Sequence, residues 1–88
     1  MAASHRTIIE SRQFQRELEE IATDHVDADS LVDGAKWLLA RDPYAGVQLE
    51  PKSRVWFLAI DPPEAKSVGL YYTFDDDTVH FMSITQQP

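Results

Sequence analysis

Apolar residues return along this chain with two different periods. Between Ser11 and about Thr23, Phe14, Leu18 and Ile21 recur three or four positions apart, with Gln, Arg and Glu between them. That spacing predicts a helix with one face turned to a core. Ser11 stands just ahead of it, where a hydroxyl can accept a hydrogen bond from a free backbone N–H. The polar run from Asp24 to Asp29 predicts a connection, with Asp27 or Asp29 able to cap the next helix. That second helix runs to about Ala40. Its buried stripe reads as Ala28, Leu31, Val32, Ala35, Leu38 and Leu39, with Asp33 and Lys36 on the solvent side. Gly34 weakens the middle of this helix relative to alanine and makes sense if another backbone packs closely there. Asp42-Pro43 ends the helix, because the residue before proline is pushed out of the α region.

Elsewhere β-branched and aromatic residues dominate short runs. Arg6 to Ile9 is one, and Val55 to Ile60, Val68 to Phe74 and Thr78 to Ile84 are three more. The stretch up to Ser53 reads as a loop or an irregular edge strand. Asp75-Asp76-Asp77 has the length and residue types of a hairpin loop. The expected fold class is therefore α+β: a short N-terminal strand, a two-helix hairpin and a three-stranded antiparallel meander. With 88 residues the chain is expected to form one domain spanning 1–88, with flexible ends at about 1–5 and 85–88.

Charge narrows the choice of partners. Fifteen Asp and Glu stand against eight Lys and Arg, giving a net charge of −7. Counterion release rewards clustered Lys and Arg, so this balance argues against tight non-specific binding to nucleic acid while leaving room for a small basic pocket. There is no cysteine, which excludes disulfides and thiolate zinc sites and suits a reducing cytoplasm. No apolar run approaches the roughly 20 residues of a membrane span, so no membrane partner is expected.

Several residues carry candidate chemistry. Three adjacent carboxylates suggest a cation site, but cation cages draw ligands from spaced positions and keep a glycine for the bend. Asp75 to Asp77 are accordingly expected to turn the chain, and neither a metal nor another cofactor is expected. His5, His25 and His80 form no ligand pattern, and His80 is set apart by its place beside the tyrosines in the last strand. Tyr71 and Tyr72 must point to opposite faces, so only one can be core. Lys52 and Arg54 precede the first strand of the meander and Lys66 the second. Three bases near one end of a sheet either hold a phosphate or offset Glu50, Asp61 and Glu64 nearby. Trp37 and Trp56 are expected as core or interface anchors.

These elements also resemble a known family. The helix opening "SRQFQRELEEIA", the helix end "LLARDP" followed by Gly46, the run "VWFLAI" and the closing hairpin "LYYTFDDDTVHFMSI" are similar to the RelE/ParE superfamily of toxins from type II toxin–antitoxin pairs. The likeness covers about Arg6 to Ile84. It implies a cytoplasmic protein with two helices on one face of an antiparallel sheet, silenced by a cognate antitoxin. RelE-like members cut messenger RNA on the ribosome with basic groups and a tyrosine or similar residue; ParE-like members inhibit DNA gyrase. Carried over by position, Lys52 and Arg54 match the bases entering the sheet, and Tyr72 matches the aromatic of the penultimate strand. Lys66 and His80 would complete a set of cation, base and acid if all converge. After Ile84 the family often has histidine, arginine or tyrosine, whereas this chain has Thr85, Gln86, Gln87 and Pro88. That departure leaves a second expectation open: a catalytically silent protein-binding module with the same fold.

Overall fold

The computed structural model describes residues 5–24, 28–61 and 67–86. Along the chain these form β1 (Thr7–Glu10), α1 (Arg12–Asp24), α2 (Ala28–Arg41), a 3₁₀ turn (Pro43–Ala45), β2 (Val47–Gln48), β3 (Trp56–Ile60), β4 (Val68–Phe74) and β5 (Thr78–Gln86). The strands make one sheet in the order β1-β5-β4-β3-β2. β3, β4 and β5 are the expected antiparallel meander, and β2 adds a two-residue edge to β3. β1 joins β5 in parallel, pairing Ile8 with Val79. The sheet is thus mixed rather than wholly antiparallel. Nearly the whole chain separates β1 from β5, so no tight turn dictates their relative direction, and in the parallel register Ile8 packs against the core.

Ser11 fixes the start of α1. Its Oγ accepts from the N–H of Phe14 at 3.0 Å and donates to the carbonyl of Met82 at 2.9 Å. Both bonds serve groups that regular structure leaves unpaired. Phe14 N–H lies in the first helical turn, and Met82 sits where β5 bulges: Tyr71 pairs with Ser83 but Tyr72 pairs with Phe81. Glu17, one turn further along α1, takes the other loose ends, accepting from Ser83 Oγ at 2.7 Å and Ile84 N at 3.1 Å. Phe14 then packs edge-on to Phe81, centroids 5.2 Å apart. The helix is therefore seated on the bulge by hydrogen bonds as well as by its apolar face.

α2 lies on the same side of the sheet but is turned relative to the expected stripe. Ala28, Val32, Ala35 and Leu39 are buried, whereas Leu38 is 39% exposed and Leu31 only half-buried. At 100° per residue the four buried positions fall within about 60° of one another, and Leu31 and Leu38 lie on the flank. The six apolar positions make a stripe wider than the sheet can cover. Gly34 has no atom within 4 Å of where a Cβ would sit, so close backbone packing is not its reason. It instead opens into a shallow apolar groove of about 410 Å³ between α2 and β3, lined by Leu31, Leu38, Leu58 and Ile60. Trp37 is not a core residue; it stands 65% exposed with the Arg41 guanidinium 4.2 Å above its ring. Lys36 reaches across to Glu10 of β1 at 2.9 Å. The expected cap Asp27 lies outside the described residues, as do residues 1–4, 87 and 88. Among the described residues no helix is long and apolar enough to cross a membrane.

Candidate functional site

The hairpin tip joins β4 to β5 through one carboxylate. Asp75 Oδ1 accepts from Asp77 N and Thr78 N, each at 2.8 Å, and from Thr78 Oγ1 at 3.0 Å. These donors favour the charged form, with the Asp77 N–H contributing most, and hold the Asp75 carboxyl below its usual range. The triplet turns the chain, as its residue types suggest.

Asp75 also fixes its neighbour on β5. Thr78 Oγ1 has one proton, which it gives to Asp75; it therefore accepts from His80 Nε2, 3.1 Å away. His80 thus carries its proton on Nε2 in the neutral ring and keeps the basic lone pair on Nδ1. The sequence singled out the histidine but not the threonine that orients it.

His80 and Arg54 line one cleft of about 630 Å³ at the end of the sheet where β3 begins and β4 ends. Tyr44, Ser53, Trp56, Thr73, Phe74 and Asp75 complete its wall. Strand alternation puts Trp56 and Phe74 on the helix-bearing side and His80 on the other, so the cleft forms where the sheet ends and both sides are reached. Arg54 is exposed and has no ion-pair partner among the described residues. Arg6 stands at the same end, its Nε donating to the Asp75 carbonyl at 2.6 Å and its guanidinium 5.8 Å from the Phe74 ring. Only the parallel β1–β5 register brings it there, and nothing in the local sequence announces that pairing.

The remaining candidates fall elsewhere. Lys52 lies exposed in the turn before β3 and does not line the cleft. Lys66 lies outside the described residues. Tyr72 is wholly buried: its Oη donates to the Pro43 carbonyl at 2.6 Å and accepts from Gly46 N at 3.1 Å. Its phenol is occupied in holding the chain after α2. Burial raises its pKa, the bond from Gly46 opposes the rise, and Asp42 adds to it. Gly46 is required by this approach, because a Cβ would meet Tyr72 Oη at 2.5 Å and the Phe57 carbonyl oxygen at 2.6 Å. Tyr71 lies on the other side of the sheet, half-buried, with its ring 4.9 Å from Phe57.

Tyr44, to which the sequence pattern assigned no role, also lines the cleft. It is 64% exposed, stands at 84° to Trp56 and 79° to Phe74, and has ring centroids 5.5 and 5.0 Å from theirs. An aromatic residue directly after a helix-ending Asp-Pro is the signal that marks it.

Solved structures with this architecture include a chain of the toxin–antitoxin complex RelBE2 from Mycobacterium tuberculosis, with TM-score 0.74, 18% identity, and coverage of 98% of this chain and 95% of that one. A conserved hypothetical protein of Helicobacter pylori, known from a solution structure, matches with TM-score 0.56 and 17% identity over 93% of this chain and 94% of that one. No protein-family model matches the chain, and no curated protein matches it in sequence. Two helices against a five-stranded mixed sheet thus give this chain a RelE-like fold.

Proposed function

We propose that the protein is the toxin-like component of a type II toxin–antitoxin pair, working in the cytoplasm and neutralised by a cognate antitoxin, with the Arg54–His80 cleft as its RNA-cleaving site on the ribosome. The observation that carries this reading is that a cation and an oriented imidazole line one cleft in a RelE-like fold. In the step this cleft suits, neutral His80 takes the proton of a ribose 2′-hydroxyl as that oxygen attacks the adjacent phosphorus. The bond from phosphorus to the 5′-oxygen breaks, leaving a 2′,3′-cyclic phosphate, and the departing oxygen takes a proton from water. Arg54 offsets the charge that builds on the phosphorane.

Three observations favour a second reading, a silent binding module. The net charge is −7, β5 ends in Thr85 and Gln86 without a cation, and the Tyr72 phenol is buried. A DNA gyrase target would likewise need none of the cleft chemistry. Inducible expression of the chain alone separates these. Growth arrest with ribosome-dependent cleavage, reduced ~10²–10³-fold by Arg54→Ala and by His80→Ala in folded protein, supports the nuclease. Harmless expression supports the module. Arrest that survives both substitutions rules out this cleft and points to gyrase.

A further inference from the structure

We infer that the aromatic half of the cleft is a nucleobase pocket: a base lies against Tyr44 beside Trp56 while its phosphate meets Arg54. The inference rests on reading this cleft as an RNA site, but its new part concerns Tyr44 and Trp56, to which no chemical step gives a role.

The first ground is exposure. A tyrosine with 64% of its surface in water at a loop position contributes little to the core, yet its ring is not loose. Trp56 and Phe74 meet it at close to right angles, and each of those rings is itself partly buried against the core. The result is a firmly backed aromatic surface that remains open to the cleft.

The second ground is the way the backbone of Tyr44 is held. Tyr44 N donates to Asp42 Oδ1 at 3.2 Å, and buried Tyr72 bonds Pro43, directly before it, through its carbonyl and Gly46, two residues after it, through its N–H. A surface held before the ligand arrives loses little entropy when a base stacks on it.

The third ground is the neighbouring chemistry. Arg54 and His80 line the same cleft, so a base on the aromatic wall has a cation within the same cavity for its phosphate. The cavity, about 630 Å³, falls in the range of small-ligand sites. Stacking tolerates every base and adds affinity without adding positive charge. That combination suits an acidic molecule better than a broad phosphate-binding surface would.

The test uses the intact chain carrying Trp37→Phe, so that Trp56 alone reports by fluorescence. It is titrated at low ionic strength with adenosine 3′-monophosphate, ribose 5-phosphate and an RNA tetranucleotide. Adenosine 3′-monophosphate is expected to quench Trp56 and ribose 5-phosphate to bind at least ~5-fold more weakly. Tyr44→Ala should weaken nucleotide binding ~5–150-fold, and Tyr44→Phe should restore it, because the ring rather than the hydroxyl supplies the stacking. A tetranucleotide that binds more tightly than the monomer identifies a strand as the occupant, and equal affinity identifies a free nucleotide; the base pocket stands in both. Equal binding of nucleotide and ribose phosphate, or a Tyr44→Ala protein that binds as before, overturns it. Nucleotide binding without growth arrest would remove the toxin reading and leave the pocket; arrest without base selectivity would do the reverse.

Discussion

Tyr72 shows how much one side chain can settle. Its position in β4 is legible from the sequence as one of two tyrosines on opposite faces, and so is the rule that only one enters the core. Its hydrogen bonds are not, because Pro43 and Gly46 lie 29 and 26 residues away. Replacing it with phenylalanine keeps the ring and leaves a buried carbonyl and a partly buried N–H without their partner, so Tyr72→Phe should cost ~1–3 kcal/mol, read by chemical denaturation. Alkaline pH supplies an independent check. The folded-state pKa is raised above the usual 10.0, so the neutral phenol's contribution is fully present below that value and is lost as pH rises through the folded one. The wild-type protein should therefore lose stability above pH 10 more steeply than Tyr72→Phe. Parallel alkaline curves for the two would show that the hydroxyl bears no such load.

At the scale of elements, periodicity located both helices, all three strands of the meander and the N-terminal strand to within a residue or two. It succeeded because each local preference agrees with the final packing. It failed on the rotation of α2, since a stripe six residues wide does not say which part of itself the sheet will cover. It also could not show the parallel placement of β1 or the bulge at Met82, which depend on pairings across the whole chain. Three substitutions on α2 test the observed rotation. Leu39→Ala removes a fully buried side chain and should cost ~2–5 kcal/mol. Leu38→Ala, on the exposed flank, should cost under ~1 kcal/mol. Gly34→Ala should stabilise by ~0.5–1 kcal/mol, because the added methyl meets nothing and the helix loses a flexible residue. Equal losses at Leu38 and Leu39 would mean that α2 is turned the other way, and a loss at Gly34 would mean that something packs there.

The whole molecule is acidic, and its cleft has to be understood within that field. Of the five residues the sequence offered for the site, Arg54 and His80 line the cleft, Lys52 does not and Tyr72 is in the core; Lys66 lies outside the described residues. The sequence could supply the residue types but not their convergence, which depends on the start of β3, the β4–β5 hairpin and the turn after α2 meeting at one end of the sheet. A net charge of −7 with so few cations at the site implies that any nucleic-acid strand is held locally, by stacking and one or two phosphate contacts. The salt dependence of binding measures this directly. For single strands the slope of log K against log salt is about −0.7 for each phosphate neutralised. An RNA tetranucleotide should therefore bind with a slope of about −0.7 to −1.4, reduced toward zero by Arg54→Ala. Tyr44→Ala should lower the affinity at every salt concentration without changing the slope, since stacking releases no counterions. A slope of about −3 or steeper would reveal a broad basic surface and overturn this local mode of binding. A slope unmoved by Arg54→Ala would place the phosphate contact on another cation, with Arg6, at the same end of the sheet, the next to substitute.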